Sequence, residues 1–225
     1  MKFKILSLLL ACMCITSVCA EETSVLNIED FRNYTKEYVS EEITVCAAGR
    51  AKTYMDYRAT TAKSSRQYQF IHNNLTVDET TGFLYDKDGF IAAALGSFYS
   101  EIGDRFYFTL DSGVVLPIVK SEEKANVDTD DSGCYHLSDN SVIEFVIDKN
   151  YAMDYFGRLS NNYVLNGNYN NHELFNGNIV KVERVTDEKL SEISLEGSSC
   201  STIRSISYST GKLVESSTYE KETIN

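Results

Sequence analysis

The sequence predicts a mainly β protein, and three observations carry that prediction. Thr, Val, Ile and aromatic residues are abundant, with 15 tyrosines and 11 phenylalanines, and such side chains fit a pleated, half-buried surface. There is one proline and no tryptophan. Asn-Gly, Asp-Ser-Gly and Lys-Asp-Gly turn signals recur at short intervals between apolar runs.

Residues 1–20 read as a secretory signal peptide. Lys2 and Lys4 precede an apolar stretch over 5–18, and Val18-Cys19-Ala20 offers small residues for cleavage before Glu21. The apolar part is too short to span a bilayer, and no later segment is long enough either. The expected location is secreted or cell-surface, with no transmembrane anchor in the mature chain. Lipoprotein processing at Cys12, after Leu9-Leu10-Ala11, is the alternative.

Val25, Leu26, Ile28, Phe31 and Tyr34 approximate one helical face, so residues 21–48 are expected to be a short helix and linker, with an edge strand near 43–48. Residues 67–71 alternate polar and aromatic side chains, as a half-buried strand does. Residues 83–85 and 90–95 flank the turn Asp86–Gly89 and predict a hairpin. The small run Ala92-Ala93-Ala94-Leu95-Gly96-Ser97 implies close approach of two backbones, as in a barrel. A turn at 102–105 leads into an alternating strand over 106–110. Asp111-Ser112-Gly113 then turns into a strand over 114–119, where Pro117 requires an edge or a bulge.

A loop dense in carboxylates precedes the apolar strand 142–147, which contains Glu144. Residues 149–176 read as loop with a short helix near 151–159, and 177–185 closes the strand set. The β domain thus spans 49–186. Residues 187–225 form a C-terminal extension, a tail or small hairpin with strands at 203–208 and 212–215.

The chain carries a formal charge of −12, which repels phosphates and excludes nucleic acid as a partner. Three cysteines remain after the signal: Cys46, Cys134 and Cys200. They are too few for a disulfide scaffold, no pair has metal-ligand spacing, and one bridge of unspecified pairing is allowed in an exported chain.

Residues Tyr57–Tyr68, Ala93–Tyr99, Gly103–Leu110, Lys124–Asp130, Val142–Asp148 and Gly177–Val185 together resemble a family of exported or phage-associated Firmicutes proteins with double-psi β-barrels of the rare lipoprotein A and three-aspartate (3D) type. The resemblance covers roughly Tyr54 to Val185. It implies a double-psi β-barrel-like domain at the cell wall and a carboxylate that protonates a glycosidic oxygen, as in lytic transglycosylases of that fold. Glu122 and Glu144 fall where the superfamily's two acids lie, with Glu at both places and Asn126 where another Asp is expected.

Paired carboxylates suit glycan cleavage, because one serves as protonated acid and the other faces the oxocarbenium centre. Glu144, inside an apolar strand, is expected to be the acid/base and Glu122 to assist. A solvated strand residue and a loop charge are the plain alternatives. His136, Tyr135 and Asp104 are expected to bind substrate; structural roles compete for each. Tyr54, Tyr57, Tyr99 and Tyr107 are further stacking candidates, with core packing the preferred reading. Asp128, Asp130 and Asp139 approximate the spacing of a calcium loop but lack its closing Glu, so an acidic turn competes with calcium. No other cofactor is implied. The expected function is an exported enzyme that cleaves peptidoglycan glycan; the alternative is a non-catalytic module binding wall polysaccharide or a protein.

Overall fold

A computed structural model describes residues 26–46, 49–156, 168–170 and 172–190, together with the backbone of 204–209 and 212–217. The expected signal peptide, Cys12 and Cys200 lie outside these residues. The protein is mainly β, with nine strands in one mixed sheet and few helices.

The strands are β1 (Tyr38–Ile43), β2 (Lys52–Asp56), β3 (Leu75–Val77), β4 (Leu84–Asp86), β5 (Ile91–Leu95), β6 (Arg105–Leu110), β7 (Val115–Glu123), β8 (Ile143–Ile147) and β9 (Ile179–Lys189). Helices α1 (Ile28–Arg32), α2 (Arg66–Asn74) and α3 (Lys149–Tyr155) decorate them. The main path runs β1-β9-β6-β7-β5-β4-β3, and β8 joins β2 to β5. β1 and β3 end that path without pairing to each other, so the sheet is open. The backbone of Arg204–Ser209 and Lys212–Ser217 forms an antiparallel pair.

β5 is the hinge of this arrangement. It runs parallel to β7 on one side, while on the other it meets β4 at Ile91 and β8 at Ala93 and Ala94. Every residue of β5 is buried, which its small side chains allow, because both faces of the sheet carry a core. One face holds Phe83, Phe106, Phe108, Phe145, Tyr169 and Phe175 with their neighbours. The other holds Ala92, Ala94, Tyr107, Val119 and Val146 under Tyr38 and Ile71. Full burial of one such aromatic side chain contributes roughly 2–3 kcal/mol.

The small run makes the expected close approach at its end. A methyl on Gly96 would lie 1.9 Å from the Gly133 carbonyl oxygen, which instead accepts the Phe98 amide at 3.1 Å. This pins the long β7–β8 loop to the end of β5. The same loop is tied through the Cys46–Cys134 disulfide, whose Cα atoms are 6.1 Å apart.

Two local expectations are corrected. Residues 67–71 are helical, not a strand, because they lie within α2: Ser65 caps the helix by accepting the Tyr68 amide, and Ile71 supplies its buried anchor. The stretch expected as linker carries β1, which pairs with β9 along the main sheet. Pro117 meets its requirement locally, since β5 pairs with β7 only from Ile118 onward.

Candidate active site

The two carboxylates singled out in the sequence are brought together by β5. Ala94 stands in register with Glu122 of β7 on one side and with Glu144 of β8 on the other. Thr53 of β2 continues the row beyond Glu144. Residues in register on neighbouring strands project from one face, so Thr53, Glu144, Ala94 and Glu122 line a single row. Two strand spacings place the glutamate backbones about 10 Å apart. Ala94 stands between them on the ladder.

A β-bulge makes this possible. Ala93 opposes Lys120 whereas Ala94 opposes Glu122, so Ser121 is the extra residue. In an unbulged ladder Glu122 would stand opposite Leu95 and point to the other face. Ser121 is buried, and its hydroxyl donates to the Ala93 carbonyl at 3.3 Å.

Both glutamates are partly exposed, so solvent and a ligand reach them. Burial pushes the Glu122 carboxyl above its ordinary value; hydrogen bonds from Thr60 and Gln67 oppose that shift, and the nearby charge of Glu144 adds to it. Thr60 Oγ1 donates to one Glu122 oxygen at 2.8 Å and Gln67 Nε2 to the other at 3.3 Å.

Lys124 lies close enough for the charges of Glu144 and Asp139 to act on it. It is 5% exposed, and its ammonium donates to the Ser141 carbonyl at 2.9 Å and the Ser141 hydroxyl at 3.0 Å. Burial pulls the Lys124 amine down to about 8, against the upward pull of Glu144 and Asp139. Thr53 Oγ1 reaches the Ser141 hydroxyl at 3.4 Å, and Asp139 accepts the Ser141 amide at 2.8 Å. A carboxyl raised by burial thus shares a sheet face with a second glutamate, near a buried amine, an arrangement suited to acid/base chemistry.

The other expected site residues lie apart from this row. His136 accepts the Ser138 amide at 3.2 Å through Nδ1 and belongs to the local turn. Tyr135 borders a cavity of about 680 Å³ with Asp139, Arg50, Asn140 and Asn170. Asp104 accepts from Arg184 at 2.9 Å and lines a cavity of about 700 Å³ beside Asp86, Asp88 and Arg105. Neither cavity is lined by Glu122 or Glu144. Room alone favours the cavities; the carboxylate row is preferred because it sets two glutamates on one sheet face near a buried amine.

The calcium reading is not met by the acids proposed for it. Asp130 directs its oxygens at the Ser132, Cys134 and Tyr135 amides. Burial works against its ionised form, yet these bonds and that of the Ser132 hydroxyl hold its carboxyl down at about 2. Asp128 is exposed and Asp139 caps Ser141. Among the described residues no group of three or more His, Cys, Asp or Glu side chains is arranged to hold a metal ion.

Sequence reasoning missed Lys124, Ser141, Thr60 and Gln67. A lone lysine inside an acidic stretch was the available signal for Lys124; the other three depend on contacts distant in sequence. Of the stacking candidates, Tyr99 and Tyr107 are core residues, and Tyr54 packs edge-on against Tyr169 at 6.0 Å. Tyr57 lies partly exposed in the turn before Thr60. Comparison with known proteins finds no matching family model, no similar curated protein and no similar solved structure.

Proposed function

We propose that this chain is an exported cell-envelope enzyme that cleaves or remodels peptidoglycan glycan, in the manner of a lytic transglycosylase or glycosidase, at the Glu122–Glu144 row. The observation that carries the reading is the placing of Glu122 and Glu144 on one sheet face either side of Ala94, with burial and the charge of Glu144 both raising the Glu122 carboxyl. Glu122, rather than Glu144, takes the acid role. It gives its proton to the glycosidic oxygen as the C–O bond breaks. Glu144 faces the oxocarbenium centre, with Lys124 matching its charge in the resting state. In a lytic reaction the Glu122 carboxylate then recovers a proton from the sugar's 6-hydroxyl as that oxygen bonds to the anomeric carbon. In hydrolysis a water takes the place of the hydroxyl.

The buried Cys46–Cys134 bridge supports export, because such bonds persist in oxidising compartments. The double-psi β-barrel reading draws support from two parallel pairs, β2 with β8 and β5 with β7, linked through the antiparallel contact of β5 with β8. Net negative charge fits a neutral glycan better than an anionic partner.

Turbidity loss of purified cell walls tests the proposal. The Glu122→Gln variant should lose activity by about 10²–10⁴-fold, the usual contribution of a positioned general acid, while its melting temperature holds or rises. Walls that sediment the wild-type protein without changing in turbidity or sugar chemistry would favour a non-catalytic binding module instead.

A further inference from the structure

We infer that Lys120 and Glu123 are positioning residues, whose ion pair across the Ser121 bulge locks the register that sets Glu122 on the face of Glu144. The inference rests on the acid role given to Glu122 above. Lys120 is fully buried, and its ammonium spends each of its donors on a different partner. It donates to the Gly96 carbonyl at 3.0 Å, the Ser100 carbonyl at 2.8 Å and a Glu123 carboxylate oxygen at 2.9 Å. Gly96 directly follows β5 and Glu123 directly follows Glu122. Ser100 is held at φ 56°, a conformation that is costly for a residue other than glycine.

The pair depends on the bulge. Lys120 stands opposite Ala93 and Glu123 opposite Leu95, and Ala93 and Leu95 face the same core. Lys120 and Glu123 therefore share that face. Three residues apart in a regular strand, they would point to opposite faces from positions about 10 Å apart. In an unbulged ladder Glu123 would turn to the face of Ala94, and Glu122 would leave it. The main chain alone does not make this choice. Lys120 is fixed on its β6 side, where its amide donates to the Asp104 carbonyl and its carbonyl accepts the Gly103 amide, both at 2.8 Å. Beyond it, a slip of one residue lets the next residue remake the ladder bonds to β5. A buried ammonium has no such substitute for its carboxylate and is left uncompensated by the slip. The charge pair thus decides whether Ser121 or Glu122 stands opposite Ala94.

The test follows the Glu122 carboxyl by carbon NMR titration, a readout that needs no cleavage. In the wild-type register Glu144→Gln should lower the Glu122 midpoint, because the charge of Glu144 reaches it. In a Lys120→Met background the same Glu144 substitution should shift it far less, and wall cleavage should fall by up to about 10²-fold, as for a displaced catalytic group. Glu123→Gln removes the charge at a side chain that is 43% exposed, so it spares the fold and decides the matter where Lys120→Met does not fold. It should move both readouts in the same direction. Removing Ser121 supplies the rescue: the ladder becomes regular with Glu122 still opposite Ala94, so neither substitution should then weaken the Glu144 effect. An undiminished Glu144 effect in the folded variants, or a loss that removing Ser121 fails to restore, would overturn the lock. A wild-type protein whose Glu122 responds to Glu144 but which leaves walls unchanged would overturn the enzyme reading alone.

Discussion

Replacing Gly96 with alanine isolates a single steric conflict, and its cost follows from the geometry. Gly96 has φ −71°, a conformation any residue adopts, so the backbone itself carries no penalty. The added methyl would sit 1.9 Å from the Gly133 carbonyl oxygen, whereas real contacts of this kind essentially never fall under 3.0 Å. The two backbones must therefore part by about 1 Å, the gap between those two distances. Neither moves freely. Gly133 follows the Asp130-capped turn and precedes disulfide-bonded Cys134. Overpacking of this kind costs about 1–3 kcal/mol, and losing the Phe98 amide bond to Gly133 adds about 1 kcal/mol. A total near 3 kcal/mol corresponds to about 6–12 °C in a domain of this size. Thermal unfolding followed by far-ultraviolet circular dichroism measures it. Gly113→Ala is the control: its methyl meets nothing within 4 Å but its φ is +84°, so only the backbone term of about 1–2 kcal/mol applies. A Gly96→Ala protein that melts within about 2 °C of wild type, or less altered than Gly113→Ala, would refute the reasoning.

Reduction, or a Cys46→Ser/Cys134→Ser pair, should lower stability by about 2–5 kcal/mol in urea titration, since the bridge closes a long loop; an unchanged midpoint would argue against it. Stability should rise between about pH 8 and pH 10, because Lys52 and Lys124 are both lowered to about 8 while their unfolded forms titrate near 10.4. In that window the unfolded chain binds more protons, and raising pH favours the fold. Lys124→Met should flatten part of that rise, and an identical pH profile in the variant would sink the assignment. Glu144→Gln removes the charge that helps raise Glu122, so any wall-cleaving activity left should shift its basic limb to lower pH; a shift to higher pH contradicts the coupling.

Local signals in the sequence were enough for much of the fold. The hairpin of β4 and β5 around Asp86–Gly89, the Asp111–Gly113 turn and the strand around Glu144 each show as a short apolar run beside turn residues. Glu122 and Glu144 were legible as candidates because each is an acid at or inside an apolar strand. Their meeting was not legible, since it depends on parallel pairing of β5 with β7 and on the Ser121 bulge, which leave no local trace. Residues 67–71 misled because five residues of alternating Gln, Tyr and Phe satisfy both periods. Ser65 and the burial of Ile71 decide for helix. The Cys46–Cys134 pairing and the burial of Lys124 likewise arise from contacts far apart in the chain.

The pairing of β1 with β9 bears on how this chain acquires its structure. Tyr38 lies beside Lys189 and Ile43 beside Val182, so almost the whole sheet separates the two partners in sequence. Contacts so distant close slowly. A ribosome emits β1 long before β9 exists, and until then β1 lacks its neighbour and the outer side of β6 lies bare. Shortened products ending before Ile179 should therefore expose two unpaired strand edges, the condition that invites self-association. β9 acts as a completeness check for this sheet, giving it its last partner only when nearly all of it has been made.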